Sequence, residues 1–166
     1  MHASATTYIY LCSGRALVVS DNLENDQHTH HAVQITINLE PNPFVLRDAN
    51  GDIQLDSAVI RSNWTHQVVS SDAWRAVMLI DPQTQLGQQI NERYTKRGNV
   101  VALDQEDFTY CQSCLEGFAG HAQSVDVASK ALDRITTRLA GPIGSGGVLH
   151  PRITQALKVI HETQGR

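Results

Sequence analysis

The sequence predicts a mainly β protein with helices in its carboxy-terminal part, and three observations carry that reading. Short runs rich in Val, Ile, Thr and Tyr recur from Tyr8 to Asp81 between turn-forming clusters. After Asp81 the apolar spacing lengthens to three and four residues, the period of a helix. A Gly-rich stretch beginning at Gly141 ends the last long periodic segment. About eight short, closely spaced strands fit the first part, which points to a sandwich or small barrel.

Composition sets the frame. With 166 residues, 41% hydrophobic and 18% charged, the chain is long enough for one principal domain that buries about 70% of its unfolded surface without disulfide or metal staples. Thirteen Lys and Arg against seventeen Asp and Glu give a net charge of −4, too little basic charge for phosphate-dominated nucleic-acid binding by this chain alone. The first residues lack a positive n-region, and the apolar run Tyr8 to Cys12 is too short for a signal peptide or a membrane span, so a cytoplasmic protein with no membrane partner is expected. Three cysteines, an odd number, do not form a secreted disulfide framework.

The strands are punctuated by Ser13-Gly14, Pro41-Asn42-Pro43, Asn50-Gly51 and Ser70-Ser71. Asn50-Gly51 suits a type I′ hairpin turn, because both residues tolerate positive φ. Asp81-Pro82 reads as a helix N-cap with proline at the first position, followed by Leu86, Ile90 and Tyr94 and an end near Gly98. A second helix begins around Asp104 and aligns Phe108, Cys111, Leu115 and Phe118. A third opens at Ser124 and aligns Val125, Ala128, Leu132, Ile135 and Leu139, with Asp126 near its start and Arg134 and Arg138 near its end. That stripe either covers the β region or pairs with a second copy as a dimerisation surface. Residues 141–149 are a flexible linker by composition, and residues 150–166 open a further helix carrying Ile153, Ala156, Leu157 and Ile160 on one face.

The densest polar cluster runs from Gln27 to Gln34. In a strand, alternation puts His28, His30, Gln34, Thr36 and Asn38 on one face and His31, Val33, Ile35, Ile37 and Leu39 on the other. The polar face either lines a cavity or faces solvent. Histidines at i and i+2 can chelate one metal, and His66 in the segment Trp64 to Val68 could complete a set of His28, His30, Gln34 and His66. Alternatively, neutral histidines supply hydrogen-bond donors and acceptors to an organic ligand. Cys111-Gln112-Ser113-Cys114 has redox spacing but lies inside the second helix, where core packing is the expected role. Neither a Gly-x-Ser-x-Gly elbow nor a phosphate-binding loop occurs. Trp64 and Trp74 are candidate pocket walls or core residues.

Three segments in order, His28 to Gln34, Ala58 to Gln67 and Val77 to Pro82, resemble the amino-terminal half of AraC-family transcriptional regulators. His150-Pro151-Arg152-Ile153, with Ala156, Leu157 and Ile160, resembles the start of that family's DNA-binding domain. The resemblance implies a cupin-like β barrel, a helical dimerisation region over about 104–140, a linker, and DNA contact only through a carboxy-terminal helix-turn-helix domain absent from this chain. It implies a cytoplasmic homodimer that binds a small-molecule effector and has no catalytic residue. Ligand candidates are then His28, His30, Gln34, Thr36, Trp64 and His66, and no cofactor is expected. The alternative is a metal-dependent cupin enzyme, a dioxygenase or isomerase using His28, His30 and His66. Metal-dependent cupins are similar at His28-x-His30 and His66, but their glutamate falls at Gln34, and the proline and glycine of their second motif fall at Arg61 and Asn63.

Overall fold

The computed structural model describes residues 5–23, 25–69 and 72–142. The Ser70-Ser71 turn, most of the expected linker and the expected helix of residues 150–166 lie outside the described residues.

Eight strands occupy the first half, as the punctuation predicts: β1 (Thr7–Cys12), β2 (Arg15–Ser20), β3 (Val33–Asn38), β4 (Phe44–Asp48), β5 (Gly51–Leu55), β6 (Ser57–Ile60), β7 (Gln67–Val69) and β8 (Arg75–Ile80). Helix α1 (Gln85–Thr95), a two-residue strand β9 (Val100–Val101), α2 (Gln105–Cys114) and α3 (Val125–Ala140) follow. The strands form an antiparallel six-stranded sheet in the order β1-β2-β8-β3-β6-β9 and a three-stranded sheet in the order β5-β4-β7. Phe44, Leu46 and Val68 of the small sheet pack on Ala58 and Ile60 of the large one, so the two sheets face each other. This is the double-sheet arrangement of jelly rolls and cupins.

The large sheet is covered on both sides, which explains why every residue of β3 is buried. Val33, Ile35 and Ile37 point toward the helices, in a core shared with Leu17, Val19, Met78 and Ile80. Gln34 and Thr36 point the other way, into the space between the sheets, which decides the alternation left open by the sequence. Arg75 closes one end of that space. Its Nε donates to Asn38 Oδ1 at 2.8 Å, a terminal nitrogen donates to the Asn42 carbonyl at 3.1 Å, and the guanidinium lies 5.7 Å from the Phe44 ring centre.

Each helix opens on a side-chain cap. Thr84 Oγ1 accepts from Gly87 N at 3.1 Å, Asp104 Oδ1 from Asp107 N at 2.8 Å, and Ser124 Oγ from Val127 N at 3.1 Å. Such caps contribute about 1 kcal/mol each. The first differs from expectation: Asp81 does not cap α1. Its Oδ1 accepts from Gln83 N at 2.9 Å and its carbonyl from Thr84 N at 3.1 Å, which makes a turn around Pro82 and delays the helix. The hairpin differs too. Asp48 pairs with Gly51, leaving Ala49 and Asn50 as the loop, and Asp48 Oδ1 accepts from Asn50 N at 2.8 Å. Gly51 alone takes positive φ, at 112°, so the turn is not type I′.

The stripe on α3 also needs correction. Ala128, Leu132, Ile135 and Leu139 are each 0% exposed within a single chain, packed into the core beneath the large sheet. The chain itself covers the face assigned above to a second copy, because α1, α2 and β1 all pack on α3. Val125 differs, being 56% exposed. Polar ties hold the helices together. Arg138 reaches Asp107 at 2.8 Å and Glu106 at 3.0 Å, and Arg93 donates to the Leu139 carbonyl at 3.0 Å, satisfying an acceptor at the end of α3.

Candidate functional site

Two backbone devices bring the histidines together. His28 and His66 form an antiparallel bridge, each N–H donating to the other's carbonyl at 3.0 Å. The turn after β6 is tied to the same segment, because Asn63 N donates to the His30 carbonyl at 2.9 Å. Asn63 has φ 61°, the one positive φ outside glycine among the described residues. Asparagine tolerates that conformation better than most side chains, and it stands where metal-dependent cupins carry glycine.

The rings of His28, His30 and His66 lie within 5.2 Å of one another, centre to centre. One ligand nitrogen from each falls within 4.8 Å of the others, a group that could hold a metal ion. Every Nδ1 is engaged: His28 with the Asp26 carbonyl at 2.8 Å, His30 with the Ala32 carbonyl at 3.0 Å, and His66 with the Trp64 carbonyl at 2.7 Å. A carbonyl only accepts, so in the neutral form of each ring Nδ1 carries the hydrogen and Nε2 the lone pair. Fixing the tautomer through the distal nitrogen is how histidine ligands are oriented toward metals.

Gln34, 2% exposed, sits among these lone pairs. Its Oε1 lies 2.9 Å from His30 Nε2 and 3.1 Å from His66 Nε2, while its Nε2 donates to Thr36 Oγ1 at 3.0 Å. In that orientation three acceptors converge with no hydrogen between them, an arrangement that a cation satisfies. With the amide turned over, its two hydrogens serve the two ring nitrogens and Oε1 accepts from Thr36. The same five groups are therefore satisfied around a cation in the first orientation and without one in the second. The donor set of three imidazoles and one amide oxygen fits a borderline transition metal such as zinc.

Burial lowers the His66 pKa to about 4, against the opposing pull of its hydrogen bond to the Trp64 carbonyl, and the neighbouring His28 and His30 lower it further. His66 is therefore neutral near pH 7, the state a metal or a hydrogen-bond donor requires.

Sequence reasoning placed His28, His30, Gln34, Thr36 and His66 in one site, and the structure assembles them. Trp64 enters through its carbonyl; its indole instead donates to Asp48 Oδ2 at 3.1 Å. Asn38 shares the face but binds Arg75 and Asp56, away from the histidines. His31 does not join the apolar face. It is exposed, because the backbone bends before β3. Trp74 stacks on Tyr8 with ring centres 6.0 Å apart, on the helix side of the sheet. The carbonyls of Asp26, Ala32 and Trp64 were not anticipated, since any residue supplies one. The cysteines stand apart as free thiols; burial, with Cys114 nearby, pushes the Cys111 pKa up to about 12, so it packs rather than reacts at neutral pH.

No protein-family profile and no curated protein matches the chain. Solved structures do. A protein from Neisseria meningitidis is 16% identical over 45% of this chain and 82% of its own, with a TM-score of 0.39. A cupin domain from Bordetella pertussis Tohama I is 16% identical over 48% and 95%, with a TM-score of 0.37. Phpd, solved with cadmium and complexed with hydroethylphosphonate, is 18% identical over 77% and 34%, with a TM-score of 0.34. No described helix is long and apolar enough to cross a membrane. By its own strand order and register, the chain folds as a cupin-like double sheet with helices packed on its outer face.

Proposed function

We propose that this chain is the effector-sensing part of an AraC-type transcriptional regulator, and that its histidine cluster is occupied by a divalent transition metal. One observation carries the metal: all three Nδ1 atoms are held by carbonyls, which leaves the Nε2 lone pairs to a ligand, those of His30 and His66 beside Gln34 Oε1 and His28 in the same close group. His28, His30 and His66 would hold the ion through nitrogen and Gln34 through oxygen. Bound there, the metal supplies Lewis acidity and a positive anchor for an anionic group. The regulatory reading rests on the ordered resemblance of the three segments and on the choice of glutamine. A site whose polar groups are satisfied both empty and filled can load and unload, and a signal follows from the difference in affinity between two states.

A metal-dependent enzyme is the second reading. Three protein nitrogens with one weak oxygen donor leave room for water or substrate, the arrangement of catalytic sites. Native mass spectrometry of the purified chain, with zinc, nickel, manganese or iron added, tests both. We expect one ion per chain, lost in His30→Ala, with loading that reverses under chelator. A chain that takes up no ion from any of the four would overturn the metal assignment. Turnover of a small oxygenated substrate by the loaded chain would favour the enzyme over the sensor.

A further inference from the structure

The strand register extends the histidine site in a direction that its polar residues do not reveal. Directly opposed residues on neighbouring strands share a face. Gln34 on β3 opposes Leu79 on β8, Leu79 opposes Ala16 on β2, and Ala16 opposes Leu11 on β1. Beside this row, Thr36 opposes Val77, Val77 opposes Val18, and Val18 opposes Ile9. Both rows start at a side chain of the polar cluster and continue as three apolar residues. Exposure grows outward. Gln34 and Thr36 are buried and Val77 is 8% exposed; Leu79, Ala16 and Val18 are half-buried; Ile9 and Leu11 are 63% and 75% exposed. Among the described residues, the three-stranded sheet packs at the β6 end of this face, while Ile9 and Leu11 at the β1 end are exposed. A cleft of about 380 Å³ meets the first row at Leu79 and Ala16, its remaining wall formed by His31, Ala32 and the Gly14–Arg15 and Asp81–Gln83 turns, a volume in the range of small-molecule sites.

We infer that the site binds an amphiphilic carboxylate, its head at the histidine cluster and its apolar body along the two rows. The inference rests on the metal reading above. Because Gln34 stands where a carboxylate would neutralise the ion, all four donors are uncharged and the full positive charge is left for an anionic head. Three strand spacings separate β3 from β1, so the apolar body has a run of about 14 Å. That length suits a medium-chain acyl group better than a sugar or a short acid. Apolar side chains leading away from a charged centre also disfavour a ligand that is polar throughout.

Isothermal titration of acetate, hexanoate and decanoate into zinc-loaded and metal-free chain tests this, with Ile9→Thr/Leu11→Thr as the variant. Both positions are exposed, and threonine keeps the strand propensity, so the variant folds. For the loaded chain we expect affinity to rise about two- to fourfold per added methylene. In the variant, decanoate binding weakens about tenfold, while acetate affinity and zinc stoichiometry are unchanged. Equal affinity for all three acids would overturn the inference while leaving the metal site intact. Decanoate binding of equal strength without zinc would overturn the placement of its head. A chain that binds no zinc removes both the inference and the reading beneath it, and a separate zinc titration reports that failure. A dimer that the variant splits without any effect on decanoate would assign the rows to a second copy instead.

Discussion

At the scale of single residues, the amide of Gln34 is the most consequential group in the site. Glutamate at this position is the wider cupin pattern, and Gln34→Glu separates what the two side chains do. In the loaded chain the added negative charge should tighten zinc binding by at least about tenfold, measured by competition with a chelator. In the metal-free chain the same carboxylate would be buried where Gln34 is 2% exposed, facing ring nitrogens that carry no hydrogen. Unfolding in urea should therefore show the metal-free variant destabilised by about 2 kcal/mol or more. Opposite signs in the two measurements identify the amide as the group that lets the site rest empty. A variant that binds zinc no better than the parent would place Gln34 outside the coordination sphere. Gln34 and Thr36 were legible in the sequence because alternation along β3 is local. His28 and His30 precede that strand, beyond the bend at His31 and Ala32, and reach the site through the His28–His66 bridge and the Asn63–His30 bond, which parity does not describe. The histidine tautomers were not legible, because they are set by the carbonyls of Asp26, Ala32 and Trp64, which any residue type provides.

At the scale of elements, α3 shows how one apolar period can serve two different ends. A stripe at helical spacing states that a face is buried but not what buries it. Here α1, α2 and the large sheet do so, with Arg138 and Arg93 holding the helices in place. Leu132→Ala should accordingly cost about 3 kcal/mol of unfolding free energy by leaving a cavity. Sedimentation at fixed concentration should show its association state unchanged. A variant that dissociates a dimer without loss of stability would restore the stripe to an interface. Helix boundaries were readable to within a few residues, and the errors have a common physical source. At Asp81 and again at Asp48, an acidic side chain accepts from the backbone N–H two residues on, making a turn where the pattern suggested a cap or a different hairpin. The turn at Asn63 is the complementary case, in which a residue that tolerates positive φ replaces the glycine of the related pattern and still brings His66 into place.

At the scale of the whole molecule, His66 ties stability to acidity. Its pKa is about 4 in the folded chain and about 6.5 when unfolded. Below pH 6.5 the unfolded state takes up a proton that the folded state refuses until about pH 4. The contribution is therefore complete above pH 6.5 and is lost as the pH falls to about 4. For the metal-free chain this amounts to roughly 3 kcal/mol, visible as a falling urea midpoint across that window. His66→Gln should flatten the profile; an unchanged slope would assign the acid sensitivity to other groups. The sheet order has a further consequence, for how the chain comes to fold. β8 lies between β2 and β3, so the hairpin of β1 and β2 has no other attachment to the large sheet until Arg75–Ile80 arrive. β3 can pair with β6 earlier, but the two halves of the sheet join only through this late strand. Non-local pairing of this kind slows folding. During synthesis the first hairpin waits with Leu17 and Val19 uncovered on one face and Ile9 and Leu11 on the other; the emergence of a single strand joins the sheet and sets the histidines beside their apolar wall, while the core over Leu17 and Val19 closes only when the three helices follow.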